Sequence, residues 1–330
     1  MIRGGCFKYL LRQNSQEWSK TQGNFKNKLM RFIKSSMLFL LGLIVLGSCK
    51  KEDPLNVDNV SDLGGDTWVK TSLDQWLYDT LVVPYNIATK YKWDQFELEL
   101  NKDLVPPDEA KVIPVMSSVK RVWIDPYVLQ GGEVFFKKYC PKLFVLVGSA
   151  SWNLDGSITL GTAEGGRKIV LYELNDFRNK TMPGYVPADS AIPKQMCHVI
   201  HHEFGHILDQ NIRRPVAFDE VCKGLYTADW INTTDYAAHQ DGFITAYAES
   251  SPFEDFVEQI SIMLIEGKSG FDNIVNSITG TSIRGTTADQ AKARLRQKES
   301  LVVDYYKTAW GIDFYSLQTR VRTAIVNEIY

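Results

Sequence analysis

The sequence predicts an α+β chain in which a small mixed β-sheet and one long helix rich in histidine precede a mainly helical C-terminal lobe. Three observations carry that expectation. Four of the five histidines lie between positions 198 and 206, inside a segment with helical apolar spacing. Three short β-type runs separated by turn residues stand just before it, and long amphipathic segments follow residue 250.

The N-terminus reads as targeting sequence. Residues 38–48 form an apolar run behind Arg31 and Lys34, too short to span a bilayer as a resident helix, and Cys49 follows. Met30 would start a signal peptide of ordinary length, so residues 1–29 read as upstream sequence, 30–48 as signal peptide and 49–66 as a polar tether. Leu46-Gly-Ser-Cys49 resembles the lipobox of bacterial lipoproteins, and Lys50-Lys-Glu-Asp53 is similar to the surface-export signal of Bacteroidetes lipoproteins. These resemblances imply lipidation at Cys49 and an outer-membrane, outward-facing protein.

One domain is expected over 67–330, with 67–210 forming the sheet lobe plus the histidine helix and 211–330 the helical lobe. A formal net charge of -2 with interspersed signs carries no electrostatic footprint for nucleic acid. Cys140, Cys197 and Cys222 are an odd set without metal-type close spacing and read as three buried thiols, with one disulfide plus a free thiol as the alternative.

Along the domain, Trp68, Leu73, Trp76 and Leu77 predict a short helix. Tyr85, Ile87, Tyr91 and Trp93 at mostly alternate positions predict a strand within Pro84–Phe96. Helices are expected over 108–123, despite Pro114, and over 127–139. Runs 143–147, 157–161 and 168–174, separated by Asn153-Leu-Asp-Gly156 and Gly165-Gly166, predict a meander. The histidine helix starts near Asp189 or Ser190, with Pro193 in its first turn and Met196, Ile200, Phe204, Ile207 and Leu208 as its buried stripe. Residues 211–250 read as a long irregular section, followed by helices over 251–267, 287–310 and 313–328.

His202-Glu203-Phe204-Gly205-His206 places two imidazoles at i and i+4 on one helix face, where they can grip one zinc ion, with Glu203 as general base. Gly205 leaves room for another element to come close. His201 points away, and His198, a turn lower, can at most support a ligand from behind or line the pocket. A catalytic zinc takes three protein ligands plus water, so one is missing. Asp209 and Ile212 stand where a metzincin has glycine and histidine, which excludes that motif. Glu254 and Glu258 lie at i and i+4 on a later helix, with Glu249 and His239 as further candidates; Ser251-Pro-Phe-Glu254 also reads as a capping box, which would use Glu254 otherwise.

Tyr247, Glu254 and Glu258 are spaced like the tyrosine, ligand glutamate and following glutamate of lethal-factor-type zincins. With the lipobox, the layout resembles the Bacteroidetes substrate-import-associated zinc metallohydrolase lipoproteins, a pattern that Gln210 also matches. The resemblance implies a zincin-like fold of gluzincin type: Zn2+ on His202, His206 and Glu254, a hydrogen bond from a ligand imidazole to Glu258, and a Tyr247 hydroxyl donating to the oxyanion. It further implies a peptide or protein substrate, with a TonB-dependent importer and a substrate-binding lipoprotein as neighbours. Two other functions fit the same residues: a surface binding protein that has lost catalysis, and an amidase for a non-peptide substrate.

Overall fold

The computed structural model describes residues 69–330 apart from 100, 154–157, 160, 165 and 166, with the backbone alone described for 161–164. Cys49, the expected signal peptide and the tether lie outside these residues, as do most of the two expected turns at 153–156 and 165–166. Among the described residues no helix is long and apolar enough to cross a membrane.

Helix α1 (Ser72–Leu77) begins in a capping box, in which the Thr71 hydroxyl accepts from Asp74 N and the Asp74 carboxylate accepts from Thr71 N. It widens into a π turn, Tyr78–Val82, and runs on as α2 (Val83–Tyr85). The cause is Pro84, which has no N–H to donate and whose ring crowds the carbonyl four residues back. The helix therefore closes one i→i+5 bond, Val83 N–H to Tyr78 O. The same device recurs where α3 (Glu109–Val119) passes through the π turn Lys120–Ile124 into α4 (Asp125–Gly131), with Pro126 in the proline position.

The strand expected over 84–96 is thus mostly helix end and loop, with β1 limited to Ala88–Lys90. Tyr85, Ile87 and Tyr91 are buried, but their alternation comes from a helix terminus, a left-handed Asn86 at φ 56° and a three-residue strand in succession. The helix expected over 127–139 is divided at Gly132 (φ 85°), so that α5 (Glu133–Tyr139) leaves at a new angle.

The meander is likewise corrected. β2 (Leu143–Leu146) pairs parallel with both β1 and β6 (Lys168–Leu171), while β5 (Gly161–Glu164) runs antiparallel to β6 at the sheet edge, giving the order β1-β2-β6-β5. β3 (Ser151–Trp152) and β4 (Ile158–Thr159) form a separate hairpin. Phe144 to Val147 and Ile169 to Leu171 are buried without alternation, as expected of parallel strands covered on both faces.

After a 3-10 turn, Pro187–Ser190, comes α6 (Ala191–Asn211), the histidine helix. The section expected to be irregular contains α7 (Val216–Val221), α8 (Asp235–Asp241) and two 3-10 turns, Ala228–Asn232 and Tyr247–Ser250, each too short to register as a period. Then follow α9 (Pro252–Ser277), interrupted at Gly267 (φ 68°), α10 (Ala288–Trp310) and α11 (Phe314–Ile329), close to expectation. One core unites both halves of the domain, and Cys140, Cys197 and Cys222 are buried free thiols within it.

Candidate metal centre

Phe204, inside the histidine motif, fixes how α6 is turned. Its fully buried ring meets Trp123 and Tyr127 edge-on, with centroids 5.3 and 4.8 Å away. His201 shares this face: it is buried beside Tyr127, and burial lowers its pKa to about 3, so it stays neutral. The opposite face presents His198, His202 and His206 to α9.

The two helices run antiparallel. Ser261 Oγ donates to His198 O (2.9 Å), Glu258 meets His202 and Glu254 meets His206. Close approach is possible because residue 205 is glycine: a Cβ there would stand 3.0 Å from Val257 Cγ1. The start of α9 resolves the competition over Glu254. Ser251 Oγ accepts from Glu254 N (3.2 Å), so the cap uses the backbone, and the carboxylate turns to the histidines.

His202 Nε2, His206 Nε2 and Glu254 Oε2 form a nearly equilateral triangle with edges of 3.0, 3.2 and 3.2 Å. His202 Nδ1 meets Glu258 Oε1 (2.6 Å), so in the neutral imidazole that ligates a metal the proton sits on Nδ1 and the Nε2 lone pair faces the triangle. His202 Nε2 and Glu254 Oε2 stand 3.2 Å apart, a gap that positive charge bridges, whether a metal ion or a second proton on the imidazole. Two imidazoles and a carboxylate are a zinc donor set, and the edges approximate the roughly 3.3 Å separation of corners around a tetrahedral ion with bonds of about 2.0–2.1 Å. The residues therefore fit the ion.

The field at the triangle favours positive charge. Burial opposes charge on His202, but the Glu254 and Glu258 carboxylates outweigh it and raise its pKa to about 10. Burial likewise opposes charge on Glu254, and the two imidazoles prevail, lowering it to about 2. Glu258 is almost fully buried; burial would raise it, yet His198 and His202 hold it well below the carboxylate range. Glu203, half-buried on the next position of α6, is pushed upward by burial despite the imidazoles of His202 and His206. Tyr247 lies along the other side of His202, its ring stacked at 5.9 Å and 28°. Burial and then the Glu254 charge raise its phenol, which stays protonated and able to donate.

The structure thus brings together His202, His206, Glu254, Glu258, Glu203 and Tyr247. His198, expected at most to support a ligand or line the pocket, donates from Nε2 to Glu258 Oε1 (2.7 Å), the carboxylate that also meets His202. Two of the further candidates lie elsewhere: Glu249 is buried against Arg284 (3.1 Å), and His239 donates to Ile244 O (2.9 Å). Sequence reasoning missed Phe253, stacked on His206 at 4.2 Å, Trp230, edge-on to Tyr247 at 4.8 Å, and Thr245, which donates to Glu258 Oε2 (2.6 Å). Phe253 directly precedes Glu254, which is a signal; Trp230, in a 3-10 turn, and Thr245, in the loop before the next one, carry none. A surface groove between α4 and α11, around Arg121, Asp125, Tyr315 and Arg320, shares no residue with the centre.

Residues 66–315 match the family described as "putative zinc-binding metallo-peptidase", and the chain belongs to that family. A solved structure with the same description, from Bacteroides caccae, is similar to this chain at 32% identity and a TM-score of 0.60. The match covers 77% of this chain and 91% of that one. No curated protein matches.

Proposed function

We propose that this member of a zinc metallopeptidase family is a gluzincin-type peptidase, with zinc held by His202, His206 and Glu254. The observation that carries the reading is the 3.0–3.2 Å triangle of those three donors. The zincin-like description rests on the same layout: a small mixed sheet, the histidine helix, and a glutamate delivered by the antiparallel helix behind it.

Zinc, when bound, supplies a Lewis acid that makes water acidic near neutral pH and stabilises negative charge on oxygen. Glu203 takes a proton from water as it attacks the substrate carbonyl and returns one to the leaving nitrogen as the C–N bond breaks; its burial favours such a base over an exposed carboxylate. The Tyr247 hydroxyl donates to the developing oxyanion. Glu258 orients His202 through its Nδ1 proton.

A peptide is favoured over a small amide by β5, which lies at the sheet edge and packs beside α6. An extended chain can add to such an edge as one more strand, bringing its carbonyls past the centre. The proposed setting is an outer-membrane lipoprotein anchored through Cys49 and facing outward, beside a TonB-dependent importer and a substrate-binding lipoprotein. It rests on the lipobox-like Leu46–Cys49, on the likeness of Lys50–Asp53 to a surface-export signal and on the family-like layout.

The test is metal content and turnover of purified protein on a peptide library. One zinc per chain, cleavage by the parent, and a Glu203→Gln variant that keeps zinc without cleaving are expected. Undiminished zinc binding by Glu254→Ala would remove Glu254 from the ligand set. A zinc-loaded parent without turnover on any peptide would favour the surface binding protein.

A further inference from the structure

We propose that Thr245 is a positioning residue for the reaction, a single buried hydroxyl that holds both the zinc-binding orientation of His202 and the turn that carries Tyr247. The inference rests on the assignment of His202 as a zinc ligand and goes beyond it to a residue with no metal-ligating or proton-transferring chemistry of its own.

The starting point is the Glu258 carboxylate. A charge buried to this degree is costly unless its lone pairs are met by donors, and three converge on it. His202 Nδ1 (2.6 Å) and His198 Nε2 (2.7 Å) donate to Oε1, and Thr245 Oγ1 (2.6 Å) donates to Oε2. Thr245 is thus the one recorded donor to Oε2, among the described residues. Without it the carboxylate is free to rotate about its terminal torsion, and the oxygen that orients His202 loses its fixed position. His198 is a weaker constraint, because its side chain is 29% exposed and water can replace it; Thr245 is 8% exposed.

The same hydroxyl acts in the other direction. With its proton committed to Glu258, Oγ1 accepts from Ala248 N (3.2 Å), the amide directly after Tyr247 in the 3-10 turn. The Tyr247 ring then returns to stack on His202. His202, Glu258, Thr245, the turn and Tyr247 therefore form a closed circuit in which the metal side and the oxyanion side are held by one oxygen. A valine at 245 would keep the shape and leave both Glu258 Oε2 and Ala248 N without their partner.

The experiment is a chelator-competition titration of zinc on the full chain, for the parent, Thr245→Val, Thr245→Ala, Thr245→Ser, His202→Ala and Glu254→Ala, with thermal unfolding of each metal-free protein. Thr245→Val and Thr245→Ala are expected to weaken zinc binding about 10- to 100-fold, the range for lost partners of ligand imidazoles. Thr245→Ser should recover most of the affinity, and unfolding temperatures should stay near the parent's. In peptide turnover, Tyr247→Phe should reduce kcat much less in the Thr245→Val background than in the parent, since the turn is already released. Parent-like zinc affinity in Thr245→Val and Thr245→Ala, alongside loss in His202→Ala and Glu254→Ala, would overturn this inference and leave the metal site standing. Parent-like affinity in His202→Ala and Glu254→Ala would overturn the metal site and this inference with it. Equal losses in all three Thr245 variants, tracking lower unfolding temperatures, would show a structural residue only, and independent Tyr247→Phe effects would break the circuit.

Discussion

Gly205 and Val257 are in direct apposition: a Cβ on residue 205 would lie 3.0 Å from Val257 Cγ1 and 3.1 Å from its Cβ. The contact is with the root of a side chain on a neighbouring helix, so it cannot be relieved by a rotamer change alone. Gly205→Ala gains about 1 kcal/mol of helix propensity but overpacks the seam, which costs about 1–3 kcal/mol. The expected outcome is a variant that unfolds at lower temperature and binds zinc more weakly, because α6 and α9 carry opposite sides of the donor triangle. Adding Val257→Ala should restore part of the affinity. Unchanged affinity in Gly205→Ala would show that the seam can spread without disturbing the centre.

Tyr247→Phe isolates the oxyanion donor. It keeps the ring on His202 and removes only the hydroxyl, so KM and zinc affinity should stay near the parent values while kcat falls about 10²-fold, the lower end for one such donor. Steady-state kinetics on a cleaved peptide separate the two parameters. A change confined to KM would place the tyrosine in substrate binding instead.

Lys298 and Asp255 form an ion pair with no side-chain exposure, Nζ to Oδ2 at 2.6 Å. Lys298 also donates to Gly242 O (2.9 Å), and Tyr226 donates to Asp255 (3.0 Å). The pair ties α10 to the first turn of α9, one residue from Glu254. Lys298→Met leaves a buried carboxylate without its cation and should lower stability by about 3–5 kcal/mol in denaturant unfolding. Lys298→Met with Asp255→Leu should recover much of that loss, since no charge is then stranded.

His239 gives the fold a sensitivity to acid. Burial lowers its pKa, and although its bond to Ile244 O pulls the other way, burial prevails. Its folded-state value therefore lies below the unfolded one of about 6.5. The unfolded chain then takes up a proton that the native state refuses, so this contribution to stability is complete above about pH 6.5 and is lost as pH falls below it. The metal-free parent should lose more stability between pH 7.5 and 5 than His239→Gln does, measured by urea unfolding at each pH. Equal losses would clear His239 of the effect.

Much of the fold was legible because helices with one buried stripe write a 3.6-residue period into the chain. The segments at 191–211, 288–310 and 314–329 are read almost to the residue. The errors have physical sources. Pro84 looked like the edge of a strand because a proline within a helix is normally excluded, and here a π turn accommodates it. The parallel pairing of β2 with β6 was hidden because a strand's neighbour is chosen by a crossover, of which the strand itself bears no mark.

For the centre the division is equally clear. His202, Glu203 and His206 are a local pattern: one helix turn separates the imidazoles, so their shared face follows from the sequence alone. The same local reading admitted Glu254 as either a ligand or a cap, and it left His198 a bystander. Only the antiparallel packing of α6 on α9, made close by Gly205 against Val257, put Glu254 into the triangle and gathered His198, His202 and Thr245 around Glu258. The physical reason is range: backbone periodicity propagates over a few residues, whereas the place of a carboxylate forty-eight residues after His206 depends on how two helices fill one core.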